Sequence, residues 1–282
     1  MKKVRIKCPA KINLTLEIVN KREDGFHNIK SIMQLISLYD YLDIVVEKID
    51  TNNVINLSGT SDEIPYNEKN LVYRAVEMFM KEADIDGYKI DIFIEKNIPI
   101  SAGLAGGSTD AAGTIWGLNY IFKVFNNEKI NQLCAKLGSD LNVCLNGGCT
   151  LATSRGEVTE KLYCSKSAVT LIKPKNLGIS AAEAYKKYSL KKIKPQNNMT
   201  EKMLLSLKEH KDIKPYLYND LEYAVFEDYK ELQEIKNVYP DSIMSGSGST
   251  YFVLENLEKP VLDESFEFIN NLEFIEEGVS LV

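Results

Sequence analysis

Histidine is almost missing from this chain: His27 and His210 are the only two among 282 residues. That supply excludes a histidine-rich zinc site. The five cysteines (Cys8, Cys134, Cys144, Cys149 and Cys164) do not build one either, being scattered, odd in number and without a CxxC pair. Such thiols fit a reducing, cytoplasmic setting rather than a disulfide framework. Positive charge is also in deficit. A formal net charge of −6 argues against a nucleic-acid surface or an anionic membrane as partner. No apolar run is long enough to span a bilayer, no secretory leader is expected, and no obligate protein partner is evident. Internal repeats and low-complexity stretches are missing as well. The chain is ordinary globular material, long enough for two compact lobes.

What the sequence does have is glycine concentrated in one place, the stretch from Pro99 to Gly113. Before it, Tyr88, Ile90, Ile92 and Ile94 alternate with Lys89, Asp91, Phe93 and Glu95, a period of two that predicts a half-buried strand. After it, Ala111, Ala112, Ile115, Trp116 and Leu118 form an apolar face at helical spacing. The order is strand, glycine-rich loop, helix. Ser108, Thr109 and Asp110 are N-cap types and predict that the helix starts there. Unpaired N–H groups and the positive helix end would then face the loop, giving an anion pocket worth roughly 0.3–2 kcal/mol per charge. A phosphate is the expected anion. In an acidic chain it must be held by local N–H groups and a few placed cations, not by a global field. The loop is not a Walker A motif, because no Lys follows Gly107. Nor is it the dinucleotide fingerprint, since Ala105 stands where the second glycine belongs. A flexible loop with no ligand is the alternative.

Elsewhere the pattern is mixed. Val4–Cys8 and Ile12–Ile18 predict two strands broken near Pro9, and Asn20–His27 a polar loop. Tyr41–Val46 is another strand, and Asn70 caps a helix with Leu71, Val72, Ala75, Val76, Phe79, Met80 and Ala83 on one face. A short helix over Asn127–Leu137 is followed by paired strands at Gly147–Thr153 and Val158–Leu162. Ser180 and Glu183 make a capping box for Ala181–Tyr188. Lys191–Asn198 is expected to be a solvated basic loop, before helices at Thr200–Glu209, Asp220–Phe226 and Tyr229–Tyr239. Ser242–Thr250 is a second glycine loop, leading into a strand at Tyr251–Leu254. Val261–Ile269 is expected to be helical and Phe274–Val282 a last strand. On residue type alone, Lys11 is a solvated strand lysine, His27 a turn residue beside a packing aromatic, and Asp140 a cap after the helix-ending Gly138.

The string Pro-x-x-x-Gly-Leu-x-Gly-Gly-Ser-Thr-x-Ala-Ala from Pro99 resembles the nucleotide loop of the GHMP superfamily of small-molecule kinases. Pro9-Ala10-Lys11-Ile12-Asn13-Leu14, Arg22-x-Asp24-Gly25-Phe26-His27, Gly138-Ser139-Asp140, Gly147-Gly148 and Ser245-Gly246-Ser247-Gly248 extend the resemblance over most of the chain. It implies an α+β, two-lobed GHMP kinase fold. Residues 1–160 would form an ATP-binding lobe like ribosomal protein S5 domain 2, and residues 161–282 a ferredoxin-like substrate lobe. It also implies ATP, with Mg2+, as phosphoryl donor. The acceptor would be a small molecule bearing a cytidine diphosphate group, a methylerythritol of non-mevalonate isoprenoid synthesis phosphorylated on its 2-hydroxyl.

Residue by residue, the resemblance makes Lys11 and Asp140 catalytic, Asp140 as base or as orienter of the hydroxyl. ATP would lie on Pro99, Ile100, Ser101, Ala102, Gly103, Leu104, Ala105, Gly106, Gly107, Ser108 and Thr109, with the last two hydroxyls nearest metal or phosphate, and on Asn70 and Lys96 near the adenine. No dedicated metal-ligand set is assigned. Asn13, Phe26, His27, Tyr185, Gly246 and Ser247 would hold the acceptor. Two departures from the family pattern stand out: Phe26 replaces the usual Tyr, and Leu141-Asn142 replaces Val-Pro after the Asp. A GHMP kinase for another alcohol, or a non-catalytic nucleotide-binding relative, are the alternatives.

Overall fold

Alternating apolar and polar residues build two unusually long strands, β1 (Lys2–Lys21) and β2 (His27–Lys48). The computed structural model describes residues 1–191, 198–258 and 261–282, so most of the basic loop expected at Lys191–Asn198 lies outside the described residues. The break expected at Pro9 does not occur. A register shift between Pro9 and Ala10 absorbs the irregularity, a bulge being one of the few places where a strand accepts a residue without an N–H. The loop before His27 shrinks accordingly to residues 22–26.

The chain continues through β3 (Val54–Gly59), α1 (Leu71–Glu82), β4 (Tyr88–Glu95), α2 (Gly106–Phe122), α3 (Asn127–Leu137), α4 (Leu141–Asn146), β5 (Cys149–Ser154) and β6 (Val158–Leu162). Then come β7 (Ala168–Pro174), α5 (Ala181–Lys191), α6 (Met199–Lys208), β8 (Tyr218–Asn219), α7 (Asp220–Val225), α8 (Lys230–Val238), β9 (Ile243–Met244), β10 (Tyr251–Val253), β11 (Phe266–Glu273) and β12 (Ser280–Leu281). One sheet has the order β12-β1-β2-β4-β3, with β5 and β6 branching from β2 and β8 lying beside β1. On the edge away from β1, strand β2 serves two neighbours because it is long: residues 41–48 pair with β4 and residues 29–34 with β5. The second sheet is antiparallel, β11-β7-β10-β9. This is an α+β protein.

Helices α1 and α2 cover the first sheet over a core that includes Ile6, Ile44, Ile92, Phe79, Ile115 and Leu118, all essentially inaccessible. A separate apolar cluster joins Ile12, Leu14 and Ile36 of the first sheet to Leu171 and Phe252 of the second. The two sheets are thus packed through β1 and β2, and the residues that β1 presents between them are candidates for a site.

Three expectations are corrected. Helix α2 starts at Gly106, not at Ser108, with Ala105 in a left-handed conformation (φ 60°) as its N-cap and no side-chain cap. The anion-pocket argument is unaffected, since an uncapped first turn leaves its N–H groups available. Residues 266–273 are a strand on β7, not part of a helix. The signal was the alternation Phe266-Glu267-Phe268, a period of two. The capping box is only half formed: Glu183 N–H donates to Ser180 Oγ at 3.2 Å, but the Glu183 carboxylate takes Tyr229 and Lys187 instead.

Candidate active site

Two cavities meet at the first turn of α2. The first, about 370 Å³, is lined by the loop from Pro99 to Ser108 together with Asn70, Lys96 and Asp110. Every loop position expected to hold nucleotide lines it except Thr109. That residue is fully buried inside α2 beside the Cys144 thiol, so its hydroxyl does not face the cavity. Ile64, Pro65, Lys69 and Leu71 also line it and were not anticipated. Their only sequence signal was the cap: Asn70 accepts from Val72 N–H at 2.9 Å while its amide donates to Pro65 O at 2.7 Å, drawing that turn over the cavity.

The second cavity, about 750 Å³, is lined by Lys11, Asn13, Phe26, His27, Asp140, Tyr185 and Gly246. Ser108 lines both. Ser247 does not line either; its hydroxyl donates to Ile179 O at 3.2 Å. Lys21, Arg155 and Lys186 were missed, because basic residues at a strand end, in a turn and on a helix carry no sequence signal of a pocket.

Lys11 is no solvated strand lysine. Only 3% of it is exposed. Its ammonium donates to Asn13 Oδ1 at 2.7 Å and to Gly103 O at 3.0 Å, and stands 3.5 Å from Asp140 Oδ2. Asn13 is steadied in turn by donating to Ser31 Oγ at 2.9 Å. Asp140 is the residue before α4 and makes no side-chain cap bond there, which leaves its part-exposed carboxylate facing the second cavity. An early amine and a mid-chain carboxylate therefore meet where the two cavities join.

The second glycine loop presses on the first. A Cβ on Gly103 (φ +75°) would come within 2.0 Å of Ser245 O, and one on Gly246 (φ +54°) within 2.9 Å of Gly103 O and 3.2 Å of Lys11 Nζ. Only glycine fits both positions. Asn219, fully buried, fixes this second loop by donating to Met244 O at 2.6 Å and Gly246 O at 2.8 Å. Sequence reading gave it no role.

At the far end of the second cavity the His27 ring stacks on Tyr185, centroids 5.1 Å apart, and its Nε2 lies 3.1 Å from Ser189 Oγ. Burial, and then the charge of Lys21, push the imidazole below its ordinary range, so it is neutral at pH 7. Phe26 is more than half exposed, with the Arg155 guanidinium over its ring at 5.3 Å. In this state the aromatic face of Tyr185 is covered by His27 rather than left open opposite Phe26.

Behind the first cavity lies a buried charge cluster of Asp40, Lys96 and Asp110. Burial first, and Asp40 among the lesser causes, raise the Asp110 carboxyl to about 8 against the opposing pull of Lys96.

Residues 70–150 match the description "GHMP kinases N terminal domain". The 4-diphosphocytidyl-2-C-methyl-D-erythritol kinase of Prochlorococcus marinus (strain MIT 9312) is 36% identical over 99% of this chain and 98% of its own length. The enzyme of the same name from Caldicellulosiruptor bescii is also 36% identical, over 88% of each chain. A crystal structure of 4-(cytidine 5'-diphospho)-2C-methyl-D-erythritol kinase superposes with a TM-score of 0.72 at 30% identity over 89% of each chain. A homoserine kinase from Cytophaga hutchinsonii shares the fold, with a TM-score of 0.74 at 15% identity over 100% of this chain and 98% of its own.

Proposed function

The chain belongs to the 4-diphosphocytidyl-2-C-methyl-D-erythritol kinases of the GHMP family, and from that premise we propose which of its residues carry the reaction. The reaction is ATP-dependent phosphorylation of the 2-hydroxyl of 4-(cytidine 5'-diphospho)-2-C-methyl-D-erythritol, a step of non-mevalonate isoprenoid precursor synthesis. ATP occupies the first cavity, its phosphates on the uncapped N–H groups of α2 and the loop before it. The acceptor occupies the second. The observation that carries the reading is the Lys11–Asp140 contact at 3.5 Å, set where Ser108 borders both cavities.

In the transfer, the acceptor oxygen attacks the γ-phosphorus, the bond from that phosphorus to the bridging oxygen breaks, and ADP leaves. Phosphoryl transfer asks a protein chiefly for position and charge stabilisation. Asp140 orients the acceptor hydroxyl and takes its proton. Lys11 stabilises the negative charge on the phosphoryl oxygens, its direction set by Asn13 and the Gly103 carbonyl. Mg2+ takes one or two protein oxygens and completes its shell with phosphate oxygens and water. The Ser108 hydroxyl is a hard donor of that kind at this border and would help hold the ion, which would neutralise phosphate charge when bound.

The cytosine end lies among Phe26, His27 and Tyr185. A neutral imidazole offers one donor and one acceptor to the base edge. Admission of a base between Phe26 and Tyr185 requires His27 to swing off the tyrosine face. Division of the chain near residue 160 into two lobes belongs to the same proposal; the acceptor lies between them, since Phe26 and His27 precede that boundary and Tyr185 follows it, and β8 and β12 return to the first sheet. Five cysteines, all free and buried, support a cytoplasmic setting, and no helix among the described residues is long and apolar enough to cross a membrane. The test is ATP consumption with a panel of alcohols. Turnover with the cytidine-diphosphate acceptor alone supports the reading; equal turnover with homoserine or mevalonate contradicts it.

A further inference from the structure

Lys96 follows directly after β4 and lines the first cavity, yet only 5% of its side chain is exposed. Its ammonium has three donors. One goes to Asp40 Oδ2, on β2, and a second faces Asp110 Oδ2, on α2, at 3.4 Å. The third has no partner among the described residues. Asp40 is wholly buried and outside the cavity lining. Its two oxygens divide their work: Oδ2 receives the ammonium, while Oδ1 accepts the backbone N–H of Asn97 at 2.6 Å and of Ile98 at 2.8 Å. The same carboxylate thus clips the backbone that leads into the glycine loop and aims the cation at its floor.

The close fit at Gly106 shows where that cation points. A Cβ on this first residue of α2 would lie 2.6 Å from Lys96 Nζ. The ammonium is therefore seated directly under the helix end whose N–H groups face the cavity, with a spare donor. We infer that Asp40 is a positioning residue for the nucleotide: it acts through Lys96, holding the ammonium under Gly106 with one N–H free for an acceptor atom of bound ATP. The inference rests on the first cavity being the ATP site. Asp110 steadies the ammonium from the α2 side and also stands close enough to Asp40 for the two carboxyls to interact; its Oδ1 is buried without a hydrogen-bond partner.

Calorimetric titration of ATP, without acceptor, together with steady-state kinetics, tests this on Asp40→Asn, Lys96→Met and the double variant. An asparagine retains an oxygen for the Asn97 and Ile98 N–H groups and removes only the partner of the ammonium. Each single variant is expected to weaken ATP binding about tenfold, the scale of one charge-assisted hydrogen bond. For Asp40→Asn the loss should appear in the KM for ATP, with the KM for acceptor within about twofold of the parent. The double variant should bind ATP no more weakly than Lys96→Met alone, because Asp40 has nothing left to aim. Additive losses in the double variant, or a lowered Tm with unchanged ATP affinity, overturn the inference while the nucleotide assignment stands. Absence of ATP binding by the parent protein overturns both. Should Asp40→Asn fail to fold, Asp40→Glu, which keeps the charge but displaces the ammonium by the length of a methylene, replaces it in the cycle under the same criteria.

Discussion

Ser245 Oγ donates to the carbonyl oxygen of Gly103 at 3.0 Å, and that same oxygen receives the Lys11 ammonium. One carbonyl in the first glycine loop is therefore the meeting point of the second glycine loop and the strand that carries the amine. The phosphate cup and the charge that faces it are a single construction, so disturbing either loop should be felt at the chemical step.

Gly246→Ala tests that coupling. The added methyl would crowd Gly103 O and Lys11 Nζ at 2.9 and 3.2 Å, from a backbone at φ +54°. Overpacking of this kind costs about 1–3 kcal/mol, and here the atoms that must move are those of the site. The expected outcome is a kcat lowered at least tenfold with only a modest fall in Tm. A variant with parent kinetics would mean that the two loops are independent.

Phe26→Ala tests the acceptor end. Stacking of an aromatic ring on a base is worth about 1–3 kcal/mol, so the KM for acceptor should rise roughly 5–100-fold while the KM for ATP is unchanged. Phe26→Tyr should retain the parent KM, because the ring and its Arg155 cover are kept. Titration of the variants with CDP gives the same comparison without turnover.

The pH dependence of acceptor binding follows from His27. Burial and Lys21 disfavour its charged form, so its protonation lies below the ordinary histidine range and the neutral ring prevails from about pH 7 upward. Affinity for CDP should be flat from neutral pH upward and fall on acidification below the ordinary histidine range, where the ring acquires a charge and loses its acceptor nitrogen. A His27→Asn variant should lose that acid limb. Binding curves that shift instead above pH 7 would exclude His27 as the group.

Asn70 separates capping from ligand contact. Its side chain is engaged by Val72 N–H and Pro65 O. Asn70→Ala should cost about 1 kcal/mol of stability, the usual worth of a cap, read by urea unfolding. The KM for ATP should rise only severalfold, through loss of the Pro65 tether. A rise beyond about a hundredfold would assign the amide a direct contact with nucleotide.

Much of this architecture is local in origin and was legible for that reason. The strand Tyr88–Glu95, the cap at Asn70 and the helix Asn127–Leu137 follow from short-range periodicity and end signals that tertiary contacts reinforce. Pro9 misled because a proline signals a break only when no neighbour can absorb it, and the bulge opposite Tyr39 and Ile36 does so. Residues 266–269 read as the end of a helix, whereas the alternation Phe266-Glu267-Phe268 is the one that β7 exploits. In the site, the glycine loop was legible from its place between strand and helix, whereas Lys11 and Asp140 stood out only through motif resemblance. Asp40 and Arg155 carried no local signal of a role in the site, and Asn219 only that of the cap it forms for α7, accepting from Leu221 N–H. Each works across more than twenty residues of sequence, and only the fold brings its partners to it.

The central claim is that Asp140, 3.5 Å from Lys11, serves the acceptor hydroxyl. Asp140→Ala, assayed in single turnover with saturating ATP and cytidine-diphosphate acceptor, tests it most directly. The account predicts a transfer rate lowered about 10²–10⁴-fold, the usual worth of a general base, with both ligands still bound. Transfer at near the parent rate would contradict it.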